Sequence, residues 1–121
     1  MISWGTILYG AVLSGAIAAG ALLIVGERRA GVLLAGTLAA LLAPIGWNAV
    51  LRATHAREFF TDAPISVLPA SWQDTGSGVA TIALASLFLA AVVPREPLRR
   101  AVFRTAVPCG LVAFLVDVYL Y

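Results

Sequence analysis

Residues 47–78 read WNAVLRATHAREFFTDAPISVLPASWQDTGSG, and this stretch divides the chain into two pairs of apolar runs. It holds Asn48, Arg52, His55, Arg57, Glu58, Asp62, Trp72, Gln73 and Asp74, and His55 is the single histidine. On either side the sequence is almost wholly Ala, Leu, Val, Ile and Gly, broken by two clusters of arginine. Soluble domains carry about 45–50% apolar and about 25% charged residues. This chain of 121 residues is 61% hydrophobic and 12% charged. A single small domain cannot hide that much apolar surface from water, so the expected solvent is a bilayer. The expected fold class is all-α, an integral membrane protein with four transmembrane helices and one longer structured loop between helices 2 and 3. Residues 1–121 then form one domain.

Working outward, the expected helices cover about 3–25, 30–60, 77–93 and 98–120. In the first, the uncharged run from Ile7 to Val25 makes a rod of about 28 Å, close to the roughly 30 Å of a hydrocarbon core. The opening MISWGTILYG lacks the basic leader of a signal peptide, so the run is retained as a spanning helix. Gly10, Ser14 and Ala18 form one small-residue row and Ala11, Gly15 and Ala19 the next, a surface on which another helix can approach closely. Gly26 to Arg29 is a tight charged turn. The second helix carries Pro44, which predicts a kink. Nothing in RATHAREFF breaks a helix, so the spacing predicts an extension to about Phe60 that places Asn48, Arg52, His55, Phe59 and Asp62 on one face. Pro64 and Pro69 then punctuate the loop, and Thr75 to Gly78 supply flexible backbone and hydroxyl caps for the third helix. PREPLRR makes the last turn, and the fourth helix carries Arg104, Pro108, Gly110 and Asp117.

All eight basic residues are arginine. Arg28, Arg29, Arg95, Arg99, Arg100 and Arg104 flank the two short turns, against Arg52 and Arg57 in the central loop. That bias places both turns on the cytoplasmic side of the cell membrane, and both termini and loop 52–76 on the outer side. Trp4, Trp47, Trp72, Tyr119 and Tyr121 then gather at the outer interface. Basic residues confined to the ends of apolar runs exclude a nucleic-acid partner. Cys109 alone excludes an internal disulfide.

Chemistry-bearing residues are few. His55, Glu58 and Asp62, at spacings of three and four, are the best metal-like set, but one histidine and two carboxylates fill at most half a first coordination shell. A single histidine also excludes bis-histidine haem within one copy. Ser66, His55 and Asp62 have no nucleophile-elbow context, and Cys109 reads as a small buried residue. The expectation is therefore no catalytic residue, no metal and no cofactor. Asn48, Arg52 and Asp117 are intramembrane polar residues; Asp117 is expected to pair with Arg52, and Asn48 to bond to a neighbouring helix or to backbone freed by Pro44. The first helix lacks the mid-helix glutamate of small multidrug transporters, and the third lacks the Phe/Thr/Ser motif of fluoride channels. The single cysteine falls short of the pair that quinone reductases of the vitamin K type need, so the residues point to none of these families.

Phe59, Phe60, Pro64, Pro69 and Trp72 make a compact, aromatic, proline-bounded loop of the kind used at protein contacts. The sequence thus predicts a non-catalytic accessory subunit of a larger membrane complex, such as a membrane-bound redox metalloenzyme. Its partners would be the lipid bilayer and other membrane subunits, docked through its helix faces and loop 52–76. A small homo-oligomeric channel or transporter is the alternative, with Asn48, Arg52 and Asp117 along its path.

Overall fold

A computed structural model describes the whole chain, Met1–Tyr121. It is all-helical, with four long helices: α1 (Trp4–Ile24), α2 (Ala30–Ala53), α3 (Trp72–Val92) and α4 (Arg95–Leu120). Each is long and apolar enough to cross a membrane. Each packs on its neighbour in sequence, and α4 closes the ring against α1. The bundle therefore has a turn end, with the α1–α2 and α3–α4 connections, and a loop end, with the α2–α3 connection and both termini.

The small residues of α1 do what their spacing predicts. Gly10, Ala11, Ser14, Gly15 and Ala18 are all buried, and a Cβ on Gly15 would stand 3.2 Å from that of Leu41 on α2. Gly36 of α2 sits against Leu22 of α1 and against Cys109 and Thr105 of α4. Gly110 of α4 lies so close to α3 that a Cβ there would meet the Gly78 carbonyl at 2.8 Å. Close backbone approach gives these helices contact area where lipid supplies no hydrophobic drive. The turn-end core is apolar apart from Thr105, with Val32, Ala35, Ala39, Ala85, Leu89, Val93, Ala101 and Ala106 in one cluster. Outward, the bundle shows Leu8, Val12, Ile24, Leu34 and Leu87.

Three helix limits differ from expectation. The extension of the second helix to Phe60 does not form: α2 stops at Ala53, and a single 3-10 turn covers Arg57–Phe60. His55 ends it with φ of 57°, while the His55 N–H donates to the Arg52 carbonyl at 3.2 Å and the Ala56 N–H to that of Leu51 at 3.0 Å. This is a Schellman cap with histidine where glycine is usual, sealed by burial of Leu51 and Ala56. The predicted common face of Asn48, Arg52, His55, Phe59 and Asp62 is broken at this point. Helix α3 starts at Trp72, five residues earlier than about 77, because Ser71 and Asp74 form a capping box. Thr75 to Gly78 are accordingly helical and cap nothing. Helix α4 starts at Arg95, just after Pro94, and widens into a π turn over Val102–Ala106. Pro108 has no N–H for the Arg104 carbonyl and its ring would crowd it, and the wider turn accommodates both.

Candidate functional site

The polar interior lies at the loop end. The capping box builds it: the Ser71 hydroxyl oxygen accepts from the Asp74 N–H at 3.2 Å, and Asp74 Oδ2 accepts from the Ser71 N–H at 2.6 Å and from its hydroxyl at 2.8 Å. With the first turn of α3 so fixed, Gln73 and, one turn on, Ser77 face inward and are buried. Gln73 Nε2 donates to Asp117 Oδ2 at 3.2 Å, joining α3 to α4. Behind this pair the Trp47 indole donates to the Gln73 carbonyl at 3.0 Å and packs against Gly76, where a side chain would collide with it. The Tyr121 hydroxyl donates to the Thr6 carbonyl at 3.2 Å and closes α4 onto α1.

Four buried side-chain oxygens or hydroxyls remain without a partner: Ser14 Oγ on α1, Asn48 Oδ1 on α2, Ser77 Oγ on α3 and Asp117 Oδ1 on α4. Each long helix contributes one. A cavity of about 280 Å³ reaches Asp117 from the loop end, and Asp62, Asp74, Gln73, Ser71 and Tyr121 also line it. No arginine or histidine does.

The structure separates several residues that the sequence groups together. Arg52 and Asp117 do not pair. The Arg52 guanidinium sits 4.7 Å over the Trp4 ring and donates to the Ile2 carbonyl, and the bundle's single salt bridge is Arg29–Glu27 at 2.9 Å. Cation–π contact and a backbone acceptor hold Arg52 near the surface, while α3 supplies the partner of Asp117. Asn48 Nδ2 bonds within its own helix, to the Pro44 carbonyl at 2.9 Å. His55, Glu58 and Asp62 do not converge, and no three His, Cys, Asp or Glu side chains come together anywhere as metal ligands. Phe59 packs edge-on against Trp47, 6.4 Å between centroids, so it ties the loop to the bundle. Phe60 and Pro69 are half-buried, Pro64 is exposed, and Trp72 is 68% exposed. Cys109 is buried among Ala18, Leu22 and Ala40.

The sequence names Gln73, Asp74, Ser14 and Tyr121 but does not join them to Asp117, and Ser77 falls within a stretch that reads as a flexible cap. The usable signal was Ser71-x-x-Asp74, a capping-box pattern that places position 73 in a first helical turn and position 77 above it.

The turn end carries a different polar group. A cavity of about 460 Å³ there is lined by Arg28, Arg29, Arg100 and Arg104 with Glu27. The Arg29 side chain bonded to Glu27, with the Arg28 and Arg29 backbone N–H groups, holds the Glu27 carboxyl well below its ordinary 4.5, at about 2.

Fold and site together define a class: a four-helix bundle of membrane-spanning length with a polar pocket at one end and an arginine collar at the other. Comparison with protein-family models, curated proteins and solved structures finds no match.

Proposed function

We propose that the chain is a multi-pass membrane protein acting as a non-catalytic accessory subunit of a larger membrane complex, docked through its loop end. The observation that carries this is a loop held firmly yet facing outward. The Ala63 N–H bonds to the Ala70 carbonyl at 3.0 Å, and the Tyr119 hydroxyl donates to the Val67 carbonyl at 2.9 Å. Nevertheless Val67 is 79% exposed, Ile65 56% and Trp72 68%. A loop that only joined two helices would not need apolar side chains displayed on a fixed backbone, whereas a protein partner uses such anchors. Six arginines at the turn end support a cytoplasmic placement for it, with the loop on the outer side of the cell membrane.

A conducting path through one copy meets an obstacle. Toward the turn end the interior is the Val32–Leu89–Ala106 cluster, with no charged side chain in it.

Replacing Ile65 and Val67 by Ser and Trp72 by Ala tests the docking surface. In mild detergent the native chain should migrate with a larger assembly on native gels. The triple variant should leave that assembly while remaining membrane-inserted. A native chain that purifies alone as a defined oligomer and conducts ions in liposomes would replace this function with transport.

A further inference from the structure

We propose that a sodium ion binds at the inner end of the loop-end pocket, held by Asp117, which lines the cavity, together with the neutral oxygens of Ser77, Ser14 and Asn48 from the helix interior behind it. The starting point is Asp117, which is 0% exposed, borders the cavity, and has Oδ1 without a partner. Gln73 satisfies only the other oxygen, and it is neutral. A buried carboxylate requires a positive neighbour or loses its charge. The arginine nearest in sequence expectation, Arg52, is engaged by Trp4 and Ile2. Water could hydrogen-bond to Oδ1 but would leave the negative charge in place.

The other unpartnered oxygens converge on the same level. Leu22, Gly36 and Cys109 meet across the bundle. Eight residues toward the loop end from each, about 12 Å along each helix, stand Ser14, Pro44 and Asp117. The Asn48 amide reaches back to the Pro44 carbonyl and so lies at that level too. Ser77 neighbours the Asp117 carboxylate without closing a hydrogen bond to it. These are oxygen donors only, the set that a hard cation takes. Asp74, the other buried carboxylate on the cavity wall, is engaged by the Ser71 N–H and hydroxyl, so Asp117 is the one carboxylate with a buried oxygen left free, and it balances one positive charge. That count selects a monovalent ion over a divalent one.

Access and retention follow from the surroundings. Asp62 and Asp74 stand on the cavity wall with Asp117, and among the lining residues only Met1, through its amino group, can bring a positive charge, so the mouth is acidic on balance and concentrates cations. On the far side, beyond the Thr81 and Thr105 hydroxyls, the apolar cluster offers no charged side chain, so an ion that enters is held at Asp117. The site is independent of the docking surface, and failure of either leaves the other standing.

The test is equilibrium binding of ²²Na⁺ to the full chain in nanodiscs at constant ionic strength, with choline as the replacing cation. Wild-type protein should bind saturably, approaching one ion per chain. Asp117→Asn should weaken binding by more than about tenfold, and Ser77→Ala by about threefold to tenfold, with helix content by circular dichroism unchanged. Should Asp117→Asn fail to fold, Ser77→Ala and Ser14→Ala decide alone, both being small changes at helix positions. Absence of saturable binding to wild type, or binding unaltered in the folded variants, would overturn the proposal and leave a protonated, uncharged Asp117 in its place.

Discussion

The two ends of the bundle put their polar groups in opposite places. At the turn end the core is apolar and the charges stand outside it, as arginines around Glu27. At the loop end Asn48, Gln73, Asp74, Ser77 and Asp117 are inside, and the apolar Ile65, Val67 and Trp72 are outside. The same opposition appears in two helix caps. Both α1 and α2 end in a Schellman turn, with Glu27 N–H to Leu22 O at 2.9 Å in one and Ala56 N–H to Leu51 O at 3.0 Å in the other. The left-handed residue is Gly26, φ 87°, at the turn end and His55, φ 57°, at the loop end. One end is built from residues that suit their places. The other keeps residues that burial or backbone geometry penalises, which is the usual mark of a region kept for something besides stability.

That contrast can be broken by measurement, most readily with the largest effect. Leu89→Ala in the apolar half should cost about 2–5 kcal/mol in reversible unfolding from mixed micelles. Gln73→Ala in the polar half should cost only about 1 kcal/mol, since hydrogen bonds between membrane helices are individually modest. Equal losses would mean that both halves hold the fold equally. A smaller effect compares the caps. His55→Gly should stabilise by about 0.5–1 kcal/mol by relieving the left-handed strain, and Gly26→Ala should destabilise by about 1 kcal/mol. If His55→Gly destabilises instead, the imidazole makes a contribution that the cap does not explain. The smallest effect is electrostatic. Because Glu27 is held at about 2 rather than 4.5, its contribution is complete above about pH 4.5 and disappears as pH falls through about 2. Carboxyl NMR titration should find this low value and see it rise toward 4.5 in Arg29→Ala, with a small loss of stability at neutral pH that vanishes as pH falls through about 2.

The caps also explain how far the sequence could be read. Four apolar runs bounded by turns give the four helices directly, and the glycine at position 26 announces the end of α1. Nothing in RATHAREFF announces the end of α2, because its stop is a histidine forced into a glycine conformation. The pocket was half legible. Asp117 and Asn48 stand out as polar residues in apolar runs. Gln73 and Ser77 do not, because a polar stretch ending in TGSG has the composition of a loop and is helical only through the Ser71–Asp74 box. The expected Arg52–Asp117 pair failed for a related reason. Opposite charges at one depth suggest a pair, but depth does not fix which way a side chain turns, and Trp4 offered Arg52 a nearer surface.

The π turn of α4 acts as a phase shifter. A regular helix returns to a given face every 3.6 residues, so the face bearing Ala101 would pass between Arg104 and Thr105, then by Pro108 and Val112, and between Leu115 and Val116. One extra residue in the turn over Val102–Ala106 delays that face by a position. The inward stripe becomes Thr105, Cys109, Ala113 and Asp117, all buried, and Arg104 is turned out to the surface. A proline in the lower half of α4 thereby decides which residue, some two turns away, meets Gln73: an aspartate instead of a valine.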